Sequence, residues 1–156
     1  MTDIVDAETR SRMMAGIKSR NTRPEVLIRS LLHRAGFRFR LHAPDLPGRP
    51  DIVLPKYHAV ILVHGCFWHA HDCSLFRLPA SRSDFWEKKL EANRARDARN
   101  IAELSGKGWR VLVVWECALK GGGRMSDERV TQMLVDWLRS DVGFRELREL
   151  PSSGIR

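Results

Sequence analysis

Between Val63 and Cys73 the chain reads VHGCFWHAHDC, two cysteines, three histidines and a Phe-Trp pair within eleven positions. Thiolate and imidazole are the donors a structural zinc ion takes, four together in a tetrahedron closed to water. Cys66, Cys73 and one histidine supply three of them from a single loop, and spacing alone leaves the choice between His69 and His71 open. The fourth has an obvious source. Apolar runs end just before Cys66 (59 to 63) and just before Cys117 (109 to 115), with a helical pattern between them. If that helix is a crossover, the runs are parallel strands finishing at one edge of a sheet, and Cys66 and Cys117 emerge on the same side. Three cysteines in a chain whose charged start, MTDIVDAETRSR, lacks a signal peptide's apolar stretch argue against a disulfide framework. Buried free thiols are the plainer alternative.

A zinc ion that takes one histidine leaves others beside it. His64 and His69 suit proton transfer and phosphate contact, because imidazole changes charge near neutral pH. Taken singly, each reads as a surface or hydrogen-bonded histidine, and a nearby carboxylate would change that. The turn Gly48-Arg49-Pro50-Asp51 supplies one, at the entrance to Ile52-Val53-Leu54 and beside the strand that leads into His64. Asp51 there could hold magnesium, a hard cation that takes oxygen donors. On its own, a bare Pro-Asp pair reads as a turn cap.

The elements that must position these groups follow from patterning. Thr22 is placed to N-cap a helix with Pro24 in its first turn and Glu25 three residues on. Leu27, Ile28, Leu31 and Leu32 form its buried stripe, and Gly36 ends it. FRFRL, 37 to 41, alternates like a half-buried strand. APDLPGRP then turns the chain into DIVL, and KYH turns it into AVILV, which makes a three-strand antiparallel meander. Residues 81 to 109 read as a long basic helix and WRVLVVW as a strand covered on both faces. Ser126 starts a last helix whose face is Val130, Met133, Leu134, Trp137 and Leu138. The order is α, β, β, β, α, β, α. It describes an α/β fold with a mixed sheet, the meander plus a parallel strand, flanked by helices. Residues 1–21, basic with Met13, Met14 and Ile17 at helical spacing, read as an arm, 22–142 as one domain, and 143–156, without a clear period, as a tail.

The 156 residues carry a net charge of +8, with 43% hydrophobic and 29% charged side chains, a globular balance. The longest apolar run is too short to cross a bilayer, so no membrane partner is expected and the cytoplasm is the expected address. Excess positive charge favours a polyanion, nucleic acid first. Charge that merely keeps the protein in solution is the blander reading.

This element order, with Pro-Asp at the second strand, resembles the restriction-endonuclease-like nucleases. Those usually carry Glu-x-Lys on the next strand, whereas this chain has Leu62-Val63-His64. One family accounts for the departure. GRPD, HGCFWHAHDC, Phe85-Trp86, Arg96-Asp97 and GWRVLVVWEC closely resemble the very-short-patch-repair (Vsr) DNA mismatch endonucleases, over a span from about Thr9 to Trp137. The resemblance implies a restriction-endonuclease-like core with a structural zinc site. It implies an endonuclease that nicks one strand beside the thymine of a T:G mismatch left by deamination of 5-methylcytosine. One or two magnesium ions would sit on Asp51 and the backbone carbonyl of Val63, a position where the family commonly has threonine. His69 would be the general acid or base and His64 the phosphate contact. Glu25 would support His69 or order metal-bound water. Asp97 would join the water network or pair with Arg94 or Arg99. Cys66, His71, Cys73 and Cys117 would hold zinc.

The same resemblance gives the aromatic residues a use. Phe67, Trp68 and Trp86 would wedge between base pairs, with Met14 and Ile17 of the arm entering from the other groove. Lys88, Lys89, Arg94, Arg96 and Arg99 would meet phosphates. Ordinary packing suffices for Trp109, Trp115 and Trp137. The implied partner is double-stranded DNA with a T:G mismatch, met by a monomer, with mismatch-repair proteins and a companion cytosine-5 methyltransferase as further candidates. Two rivals stand beside this reading: a restriction-type nuclease for intact sites, and a non-catalytic zinc-containing DNA-binding module that makes no use of Asp51.

Overall fold

A computed structural model of the protein describes residues 21–151, so the expected arm, with Met14 and Ile17, lies outside the described residues apart from Asn21. The first element, α1 (Arg23–Arg34), begins where its capping chemistry dictates. Thr22 takes an extended backbone, and its hydroxyl accepts from the Glu25 N–H at 3.3 Å. Pro24 fits the first turn, where a missing N–H forfeits no helical bond. The helix buries Ile28, Leu31 and Leu32 in one stripe, with Glu25 at its head.

The strand expected over 37 to 41 is shorter. Phe37 donates its N–H to the Leu32 carbonyl at 3.0 Å and buries its ring 5.4 Å from that of Tyr57. Gly36 before it has φ 95°, which glycine adopts without a Cβ clash. The start of FRFRL therefore closes the end of α1, and only β1 (Arg40–Leu41) joins the sheet. β1 pairs antiparallel with β2 (Ile52–Leu54), and β2 with β3 (Ala59–His64), Ile52 opposite Ile61.

β4 (Arg110–Trp115) runs parallel to β3, with Val63 opposite Val114 and His64 opposite Trp115. The crossover between them is α2 (Ser83–Gly106). α3 (Asp127–Leu138) follows, N-capped by Ser126, whose hydroxyl accepts from the Arg129 N–H at 3.1 Å. The chain then returns as β5 (Phe144–Leu147), parallel to β4, and the sheet order is β1-β2-β3-β4-β5. This strand corrects the reading of 143–156 as a tail and carries the sheet past the expected domain end at residue 142. Of its four residues only Leu147 is buried, so no alternation marks it in the sequence.

The pleat sends alternate side chains to two cores. Ile52, Leu54, Ile61, Leu112 and Val114 meet α1 and α3 through Ile28, Leu32, Leu134 and Trp137. Val53, Val60, Leu62, Val111 and Val113 point the other way and meet Leu104 of α2. Burial of a side chain such as Leu104 contributes about 1.5–3 kcal/mol. With both faces covered, β2, β3 and β4 are apolar but for His64 and Arg110 at strand ends. α2 differs, since among its 24 residues only Leu90 and Leu104 are buried. Most of it is solvated, with five basic and five acidic side chains, and it meets the sheet's core through Leu104 with Ile101 packed beside it. Among the described residues no helix is long and apolar enough to cross a membrane.

Candidate active site

β3 and β4 end side by side at His64 and Trp115, and parallel strands present such an edge as a place to build sites. Cys66 follows β3 by two residues, and Cys117 lies in the single 3-10 turn Glu116–Ala118 after β4. Both are fully buried. The loop between Gly65 and His71 coils on itself. His69 N–H donates to Gly65, Ala70 N–H to Phe67 and His71 N–H to Cys66, the last at 2.9 Å, with Ala70 at φ 50°. That coil turns His71 onto the cysteines. Its Nδ1 lies 3.5 Å from Cys66 Sγ and 3.6 Å from Cys117 Sγ, and with Cys73 the four donor atoms lie within 4.8 Å of one another. A sulfur at about 2.3 Å and a nitrogen at about 2.0 Å from one tetrahedral zinc are separated by about 3.5 Å. The donor set therefore fits zinc. Burial pushes the Cys66 and Cys117 thiols up and His71 down, so each prefers neutrality until a cation joins them.

Two neighbours brace this loop. Trp115, expected to be ordinary packing, is half-buried and stacks on His71 with 3.8 Å between centroids. Beyond β5, the Glu149 N–H donates to Cys117 Sγ at 3.2 Å, and its carboxylate accepts from the Ser74 N–H at 3.0 Å.

On the other side of the loop, His64 and His69 stack nearly parallel, 3.8 Å apart. His69 Nδ1 is hydrogen-bonded to the Asp97 carboxylate on α2. Asp97 thus pairs with His69, and no described ion pair joins it to Arg94 or Arg99. With Nδ1 held by a carboxylate, Nε2 is the ring nitrogen left for proton transfer. Asn93 adds a second tie from α2, donating to the Trp68 carbonyl at 2.9 Å. Burial, then the neighbouring His69, pushes the His64 pKa down to about 3, and its Nδ1 is buried without a hydrogen-bond partner.

Asp51 is locked to β3. Its carboxylate accepts from the Val63 N–H at 2.7 Å. Burial pushes its pKa up to about 7, opposed by that N–H and by Arg29 and reinforced by the charge of Glu25. A half-buried carboxylate near a second, buried one fits a divalent hard cation. Glu25 does not reach His69, contrary to one of its two expected roles. Its carboxylate takes the Asn21 N–H at 2.9 Å, the Arg29 guanidinium at 3.2 Å and His42 Nε2 at 3.0 Å, and it clusters with Asp51. His42 is the residue the sequence reading missed. The meander register could have found it: Leu41 opposes Ile52, which puts position 42 opposite Asp51. Its N–H donates to the Asp51 carbonyl at 3.1 Å. Asp51, His42, His64, His69 and Asp97 line one cavity of about 330 Å³. A larger open groove of about 940 Å³ beside β5 and α3 has neither histidine nor cysteine in its lining.

Residues 2–75 match the family model described as DNA mismatch endonuclease Vsr. The DNA mismatch endonuclease Vsr of Escherichia coli (strain K12) is 48% identical over 138 residues, 88% of each chain. The chain belongs to the Vsr DNA mismatch endonuclease family. Two further relatives carry the description type II nicking enzyme. V.XorIIP of Xanthomonas oryzae pv. oryzae is 55% identical over 125 residues, 80% of this chain and 92% of that one. V.NmeAIP of Neisseria meningitidis serogroup A is 48% identical over 120 residues, 77% and 86% of the two chains. The protein is a DNA endonuclease with the mixed α/β fold of that family.

In this Vsr-family endonuclease the aromatic residues form one cluster. Phe67 lies 5.0 Å from Trp68 and 5.4 Å from Trp86, and all three are half-buried at the rim of the loop. Lys88, Lys89, Arg94, Arg96 and Arg99 are exposed along α2. The helix that supplies Asp97 to His69 therefore also carries the row of cations.

Proposed function

We propose that this Vsr-family endonuclease is magnesium-dependent and nicks one strand beside the thymine of a T:G mismatch, the lesion left when 5-methylcytosine is deaminated. The observation that carries the reading is the meeting of Asp51 with the His69–Asp97 pair in one cavity at the end of β3. His69 Nε2 takes the proton of the attacking water, and Asp97 stabilises the imidazolium that results. His64, kept neutral by burial, contacts the phosphate. Glu25, tethered by Arg29 and His42, orders water beside Asp51. Magnesium, one ion or two, held by Asp51 and the Val63 carbonyl, would neutralise the scissile phosphate and stabilise the leaving oxygen. That carbonyl is available whether residue 63 is valine or threonine. Zinc on Cys66, His71, Cys73 and Cys117 would fix the loop that presents His64 and His69.

Recognition rests on deformability. Phe67, Trp68 and Trp86 enter the base stack, and Met14 and Ile17 of the arm at 1–21 meet it from the opposite groove. Unstacking costs a few kcal/mol per step and least at a mispair, which turns insertion into selectivity. The α2 cations grip flanking phosphates. The enzyme acts as a monomer in the cytoplasm on a restriction-endonuclease-like core, alongside mismatch-repair proteins and a cytosine-5 methyltransferase. Relatives described as nicking enzymes support a single-strand cut. Replacing Asp51 with alanine should abolish magnesium-dependent nicking of a T:G duplex while sparing its binding. An unchanged nicking rate would take Asp51 out of the chemistry and overturn the metal-site reading; a wild-type protein that binds the duplex but never nicks it would instead favour a zinc-containing module that only binds DNA.

A further inference from the structure

The turn that delivers Asp51 carries a residue the site has not yet used. Arg49 has φ 47°, directly after Gly48 at φ 73°, a left-handed pair that a non-glycine residue seldom completes. The turn is clamped there. Arg49 N–H donates to the Leu46 carbonyl at 3.0 Å, and Gly48 abuts α2 so closely that a Cβ on it would lie 2.7 Å from Asn100 Nδ2. Backbone held in so sparse a region tends to mark a functional position.

The consequence is where Arg49 stands. Among the described residues it is the sole lysine or arginine that lines the cavity shared by Asp51, His64, His69 and Asp97. It is exposed, and no ion pair of the described residues involves it. The other charged groups lining that cavity, Asp51 and Asp97, are carboxylates that repel a phosphodiester. We propose that Arg49 is a catalytic residue that grips the scissile phosphate and stabilises the charge growing on its non-bridging oxygens during cleavage. This rests on the endonuclease reading of the same cavity. A guanidinium fork matches two phosphate oxygens at once, and its charge is permanent.

Arg49→Gly removes the guanidinium but tolerates the positive φ, so the turn survives. Arg49→Lys keeps the charge and loses the fork. With magnesium and saturating enzyme, single-turnover nicking of a T:G duplex should fall about 10²–10³-fold in Arg49→Gly, with part of the loss recovered in Arg49→Lys. Affinity gives an independent readout, on a duplex whose phosphate beside the mismatched thymine is a neutral methylphosphonate. That replacement should weaken wild-type binding about tenfold and leave Arg49→Gly nearly unaffected. Nicking by Arg49→Gly within about threefold of wild type, or an equal loss of affinity in both proteins, would overturn the proposal. A wild-type protein that shows the Arg49-dependent phosphate grip yet never nicks overturns the endonuclease reading and leaves the grip standing.

Discussion

The hydrogen bond from His69 Nδ1 to Asp97 sets which ring nitrogen faces the cavity, and its removal is the sharpest test of the proton-transfer role. Asp97→Asn should lower single-turnover nicking by about 10²–10⁴-fold with DNA affinity nearly unchanged. Loss of affinity in step with rate would show Asp97 to be a packing residue only. Asp51 makes a prediction about stability. Its carboxyl titrates near its ordinary 3.8 when unfolded and at about 7 when folded. Between those values the folded chain holds the proton more tightly. Without magnesium, Asp51 should therefore contribute a loss of stability as pH rises from about 4 to about 7; His64, with its pKa pushed down to about 3, contributes the opposite slope in wild type and Asp51→Asn alike, so the Asp51 share is the difference between the two proteins. Asp51→Asn should lack that slope and be more stable at pH 8 by on the order of a few kcal/mol. Urea unfolding of both proteins at pH 5 and pH 8, zinc kept and magnesium withheld, checks it; parallel pH slopes would contradict it. At this scale the clustering of the cysteines with a histidine was legible because thiols are chemically narrow, whereas Asp51 stood out only through the family resemblance, since a bare Pro-Asp pair reads as a turn cap. The partners of Glu25 were not legible, since a capping box explains a glutamate three residues after a threonine, and only the fold brings His42 beneath it.

The helices were legible as elements because caps and stripes are local. Thr22 and Ser126 cap α1 and α3 where the sequence puts them, and of the stripe from Val130 to Leu138 all but the half-buried Met133 are buried as the spacing requires. The sheet's edges were not, because a strand is defined by its neighbour. β5 has one buried side chain, and Phe37 is drawn to the end of α1 instead of into β1. The first matters to the site, because Glu149, just after β5, reaches Cys117 and Ser74. The element-scale prediction concerns that brace. Cys117→Ala should release the zinc while the sheet persists. Its far-UV circular dichroism should stay close to wild type, while the near-UV signal of Trp115, stacked on His71, should change. A variant that keeps its zinc would remove Cys117 from the donor set.

For the whole molecule, the net charge of +8 pointed to a polyanion, and Lys88, Lys89, Arg94, Arg96 and Arg99 stand exposed on α2, the helix that also carries Asp97, although five acidic side chains of the same helix offset their charge. Composition could not say where that charge stands, because α2 has too few buried residues to reveal its orientation by period. If Arg94 and Arg99 each neutralise a phosphate, replacing both with alanine should reduce the slope of log affinity against log salt by about 2. An unchanged slope would make them solvated surface charges. If the proposed aromatic insertion reads the base pair at a weak point in the stack, discrimination should reside in the duplex more than in flanking contacts. Single-turnover nicking of two duplexes, identical except for T:G against T:A at one position, tests this most directly with magnesium present. A rate at least about 100-fold higher on T:G, with only the thymine strand cut, is the predicted result. Equal rates on the two duplexes, or cleavage of both strands, would contradict it.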